Sequence, residues 1–174
     1  IDFPGFGYST RDTSLGYMAA DQVRLLDQVL TTLGANQVTL VGFQRGCAVA
    51  LGYALERSQN VKQIVLISPL VYHDARPLSD AAVSIPAVGK SLVWARNAGP
   101  LLDRSRRSGY ADPTRFTDSL RETILSTTHI SGTTSFQLTW MRDVRKDSIA
   151  GLSDLGDLTM PVLILAGEQD KTSS

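Results

Sequence analysis

Three short, mainly apolar runs constrain this chain more than any other feature. They are "VTLVG" at 38–42, "QIVLIS" at 63–68 and "PVLILAG" at 161–167. Each is too short for a buried helix and lacks the polar alternation of a half-exposed strand, so each reads as a strand covered on both faces. Helical patterns precede and separate the first two. Ser14 is placed to cap a helix running to about Leu33, with Val23, Leu26, Leu30 and Leu33 on one face and Gly34 as the stop. Residues 45–58, "RGCAVALGYALERS", read as a second helix whose first turns hold Gly46, Ala48, Ala50 and Gly52, small enough to lie close against a sheet. Strands alternating with helices predict an α/β chain built on a parallel sheet.

That order breaks between Val71 and Asp157, where helical periodicity replaces apolar runs. Asp112-Pro113 is an N-cap and first-turn pair, followed by Phe116, Leu120 and Ile124 at four-residue spacing. Both tryptophans, Trp94 and Trp140, fall here, as does the basic segment "DRSRRSGY", most simply a solvated surface. The opening "IDFPGFGYS" reads as the end of a strand at 1–3 running into a loop, and "LAGEQDKTSS" closes the chain directly after a strand. The expectation is an internal piece of a longer polypeptide, with open sheet edges.

Composition excludes several classes. At 174 residues, with 43% hydrophobic and 20% charged, the chain is an ordinary globular domain. Seventeen basic and seventeen acidic residues balance, which gives no footprint for nucleic acid or an anionic membrane. Nothing has the length of a membrane span or the pattern of a signal peptide. A single cysteine, Cys47, forms no internal disulfide, and zinc-type ligand clusters are missing. Cys47 is read as a buried inert thiol. No cofactor is expected, and a soluble, cytoplasmic protein is the expectation.

Residues 42–46, "GFQRG", have the glycine spacing of the G-x-S-x-G strand-to-helix turn, with Gln44 at the centre. With its surroundings, this segment resembles the α/β-hydrolase superfamily along almost the whole chain. "DFPGFGYS" (Asp2 to Ser9) is similar to the D-x-P-G-x-G-x-S loop after the fourth strand, and "LVGFQRG" to the nucleophile elbow after the fifth. "VKQIVLISP" resembles the sixth strand, and "MPVLILAGEQD" the seventh with its terminal aspartate. The resemblance implies a partial α/β-hydrolase fold, a mostly parallel sheet flanked by helices, with a helical cap inserted between the sixth and seventh strands. Residues 1–70 and 158–174 would form the core, and residues 71–157 the cap.

The resemblance also assigns roles. Gln44 stands at the nucleophile position, Arg45 would offer its backbone N–H to an oxyanion at a helix N-terminus, and Asp170 would be the acid. Gly42 and Gly46 are expected where side chains would collide with the neighbouring strand and helix. A carboxamide is not a nucleophile at neutral pH. The family's histidine comes after the seventh strand, leaving His73 a choice between the mouth of the site and the surface, and His129 in the insert. Three readings stand: a degenerate member that binds a partner or a small apolar molecule under the cap, an active family enzyme whose histidine lies beyond Ser174, or a serine hydrolase altered at Gln44. The first is preferred because losing the nucleophile removes the step that defines the class.

Overall fold

The computed structural model describes residues 1–70, 85–97, 99–143 and 152–170. Within them lie helix α1 (Ala19–Thr32), strand β1 (Val38–Phe43), helix α2 (Gly46–Glu56) and strand β2 (Val61–Ile67). Helices α3 (Pro86–Asn97), α4 (Gly99–Arg107), α5 (Asp118–Thr128) and α6 (Thr133–Asp143) follow, and then strand β3 (Val162–Leu165). The chain clusters into two units, residues 18–73 with 147–174 and residues 1–17 with 74–146.

The first unit is a parallel sheet in the order β1-β2-β3, so all three strands end on the same edge. Leu40, Gly42, Ile64 and Leu66 are buried on one face, where α2 packs with buried Cys47, Ala48, Val49, Ala50 and Leu51. α1 lies on α2, contributing Val23 and Leu26, and a Cβ on Gly52 would come within 2.9 Å of Val23. The small residues of α2 therefore serve two close approaches, to the sheet and to α1. Arg57 grips Asp27 with two hydrogen bonds of 3.2 Å, tying the end of α2 to α1.

Several expectations change. The apolar runs predict cover on both faces, yet Val41, Phe43, Leu163 and Leu165 are exposed, and register places them on one face. Ser14 does not cap α1. Its N–H and hydroxyl both turn back to Asp12 Oδ1, and the helix starts at Ala19, where the Asp21 carboxylate accepts the Met18 N–H. At the other end Gly34 (φ 61) stops the helix as expected, while Leu33 is 72% exposed and leaves the predicted stripe.

The second unit is helical among its described residues beyond 85. Val93 of α3 packs on Leu138 and Met141 of α6. Asp112 caps a single 3-10 turn at Pro113–Arg115, and α5 begins only after Thr117, whose hydroxyl accepts the Leu120 N–H. The predicted helix start is thus five residues early, because Thr117 supplies a cap of its own.

Residues 1–3 are not a strand. Their loop folds on itself instead: Asp2 accepts the Tyr8 N–H at 3.0 Å, and Gly5 donates to Thr10 O at 2.7 Å. Gly5 has φ 89, and a Cβ there would overlap the Phe136 ring. Phe6 and Tyr17 meet that ring edge-on at 5.2 and 4.8 Å. Arg11 fastens the loop. Its guanidinium donates to the carbonyls of Phe6, Gly7, Ser9 and Thr127 and to Thr133 Oγ1.

Candidate functional site

The edge where the three strands end carries the residues singled out by sequence. β1 stops at Phe43, Gln44 takes φ 47, Arg45 is the N-cap of α2, and α2 begins at Gly46. A left-handed backbone costs a non-glycine residue about 1–3 kcal/mol, so the surroundings must over-determine it. They do so through Gln44's own backbone. Its N–H donates to Ile67 O at 2.9 Å, and its carbonyl accepts from Cys47 N–H at 3.0 Å and Leu70 N–H at 3.2 Å.

Gly42 makes the turn possible by close approach. A Cβ there would lie 2.6 Å from Cys47 Cα and 2.7 Å from Cys47 N. Gly46 differs from expectation: a Cβ at Gly46 meets nothing within 4 Å among the described residues. The collision argument therefore holds for Gly42 alone. Cys47 is fully buried, its thiol 3.6 Å from Ile67 O, and burial raises its pKa above the ordinary thiol value.

Asp170 follows β3 by five residues, half-buried, with its N–H on Gly167 O at 3.0 Å. The ends of β1 and β3 lie on either side of β2, about 10 Å apart at the usual strand spacing. The fold thus brings Gln44, Arg45 and Asp170 to one edge of one sheet. His73 lies outside the described residues. His129 is the exposed C-cap residue of α5, in the helical unit.

Ser68 is a residue that sequence reasoning missed. It follows β2, has φ 45, and donates its N–H to Leu165 O at 2.8 Å. The only sequence signal is Pro69, which restricts the residue before it without fixing the sign of φ. Neither the Gln44 carboxamide nor the Ser68 hydroxyl forms a hydrogen bond with a described residue. No group of three metal-binding side chains and no helix long and apolar enough to cross a membrane occurs among the described residues.

The chain belongs to the α/β-hydrolase fold family, whose model matches residues 1–174. Among curated proteins it is 29% identical over 105 residues to the pig protein named 1-acylglycerol-3-phosphate O-acyltransferase ABHD5, covering 59% of this chain and 28% of that one. Among solved structures, a bromoperoxidase from Bacillus anthracis matches with a TM-score of 0.74 at 22% identity, over 98% of this chain and 63% of that one. The 2-hydroxy-6-oxo-6-phenylhexa-2,4-dienoate hydrolase of Rhodococcus sp. strain RHA1 matches with a TM-score of 0.72 at 19% identity, over 99% and 63%. The chain spans less than two thirds of the length of each of these relatives.

Proposed function

We propose that the Gln44 turn is a nucleophile elbow that has lost its nucleophile, and that the protein binds a small apolar molecule rather than hydrolysing one. The observation that carries this reading is the strained glutamine. Glycine would take φ 47 at no steric cost, so a side chain kept there at a cost of about 1–3 kcal/mol has a use in the site. A carboxamide can donate and accept hydrogen bonds but cannot form an acyl-enzyme.

In this reading the backbone N–H of Arg45, at the start of α2, faces the ligand's polar group, and Asp170 keeps the acid position without a nucleophile to serve. This reading divides the chain into a core at 1–70 and 158–174 and a cap at 71–157, although residues 1–17 cluster with the helices of the cap stretch. The helices described between Pro86 and Asp143, with no strand among them, support that division.

One observation favours a second reading. The curated relative is named as an acyltransferase. An active family enzyme would use Gln44 as a hydrogen-bond donor with a histidine from beyond Ser174. An activated ester together with a serine-directed fluorophosphonate separates the two. The binding reading expects neither turnover nor labelling, and covalent labelling at the elbow would overturn it.

A further inference from the structure

Helix α3 is held to its unit along one narrow stripe. Val93, 2% exposed, packs on Leu138 and Met141 of α6, and Asn97 donates its side-chain amide to Gln137 Oε1 at 2.9 Å. The opposite side of the helix is apolar and faces water. Ile85, at its start, Val88 and Leu92 recur at three- and four-residue spacing and are 54%, 41% and 47% exposed, and Trp94 is 71% exposed. Exposed Ala87 lies between Val88 and Trp94 around the helix. Of the described residues on that side Ser91 alone is polar, and Lys90 stands at its border, one turn before Trp94. Lys90, Ser91, Trp94 and Ala95 line a shallow open hollow. Surface helices ordinarily carry polar residues on the side away from the core.

The charge around this face is one-sided. Residues 85–110 hold five basic residues and one acidic residue, although the whole chain balances at zero. The acidic one, Asp103, is taken up by Arg121 at 2.8 Å, while Lys90, Arg104, Arg106 and Arg107 are exposed. α4, whose last turn carries the three arginines, packs against α3. We propose that α3 is a peripheral docking helix for an anionic lipid bilayer. At 12 residues it is too short to span a bilayer and lies on it instead. Its apolar side enters the headgroup region to a depth of about 5–10 Å, with Trp94 at the level that indole rings favour. Lys90 and the α4 arginines supply the attraction to lipid phosphates, which salt weakens. A second copy docked through the same face would set like charges against each other. An acidic peptide would answer the cations and leave Val88, Leu92 and Trp94 in water. The docking is independent of what the Gln44 site binds.

The test mixes the 174-residue protein with vesicles of phosphatidylcholine alone and with vesicles in which about a third of the lipid is phosphatidylglycerol, reading co-sedimentation and tryptophan emission. Binding to the anionic vesicles is expected to be about tenfold tighter or more, and to fall in high salt. Acyl chains brominated near the headgroup should quench an emission that is missing in Trp94→Ser. Trp94→Ser and Val88→Ser should each weaken binding by about fivefold or more, through lost apolar burial. Both side chains are exposed, so either variant carries the test if the other fails to fold. Replacing Arg104, Arg106 and Arg107 together by Gln should remove most of the preference for anionic lipid. No binding to the anionic vesicles overturns the proposal. Binding that both serine variants leave unchanged also overturns it, because another surface, such as exposed Val41 and Phe43, would then be responsible. A lipid-free dimer that shields Trp94 from iodide assigns the face to a second copy, and binding of polyglutamate without binding of vesicles assigns it to an acidic protein. Either result overturns docking to lipid.

Discussion

Gln44 and Cys47 are locked by one hydrogen bond, Cys47 N–H to Gln44 O at 3.0 Å, that closes the first turn of α2 over a left-handed residue. The turn therefore holds its shape through backbone atoms, and its side chains can be exchanged with separable effects on stability and binding. We predict that Gln44→Gly unfolds at higher urea, stabilised by about 1 kcal/mol or more through loss of strain, while ligand binding weakens. Gln44→Ser restores only the hydroxyl, and in the binding reading it is expected to leave ester turnover at background. A destabilised Gln44→Gly protein would mean that the glutamine side chain contributes packing that outweighs its strain.

The two glycines of the turn should part company. Gly42→Ala drives a methyl group into the Cys47 backbone, 2.6 Å from its Cα, with no flexible side chain to yield. A loss of about 1–3 kcal/mol is expected, as for overpacking elsewhere. Gly46→Ala meets open space at the first turn of α2 and should be neutral, or stabilising by up to about 1 kcal/mol. Equal losses in chemical denaturation would show that Gly46 is also packed.

Cys47 gives the stability curve an alkaline limit. Burial raises its pKa, so above about pH 8.5 the unfolded chain releases a proton that the folded protein keeps. The unfolded state then binds fewer protons, and stability falls as pH rises toward the folded value. Below the unfolded pKa the contribution is fully present. Melting temperatures between pH 7 and pH 10 should decline more steeply for the wild type than for Cys47→Ala. The thiol should also resist an aromatic disulfide reagent until the chain unfolds.

Arg11 holds the glycine loop to the helical unit through four carbonyls and one hydroxyl. Arg11→Ala leaves those acceptors to water and is expected to cost about 2 kcal/mol, since the site is only half-buried. Arg11→Lys should recover little, because one ammonium cannot span the fork of acceptors. Hydrogen exchange would locate the damage: faster exchange at Gly5, Tyr8 and Ser9, with α6 keeping its protection.

The sheet was legible because its strands centre on short apolar runs, and β1, β2 and β3 fall within about two residues of where those runs predict them. The α1 start was not legible. Ser14 is a good cap by type, but Asp12 engages it first, and the choice between two local partners is made by geometry. The strand expected at 1–3 rested on the motif that follows it, yet Asp2 and Gly5 bind their own loop. At the candidate site, the positions of Gln44 and Asp170 after β1 and β3 were marked by a glycine frame and by a carboxylate after an apolar run. Ser68 carried no mark, because serine gives no sign that its φ is positive.

The strand order has a consequence in time. Val38 and Val61 pair across a short stretch of chain, whereas Ile64 and Val162 pair across about a hundred residues, and the longer closure costs about 1 kcal/mol more in chain entropy. We predict that β1 and β2 meet first, with α2 already packed between them in sequence, and that β3 docks last. In a refolding reaction sampled by pulsed hydrogen exchange, the Gln44 amide, bonded to Ile67, should gain protection before the Ser68 amide, bonded to Leu165. Simultaneous protection of the two would refute this order. The strained turn at Gln44 would then belong to the oldest part of the folding history, set before the last strand arrives and before Ser68 has its place.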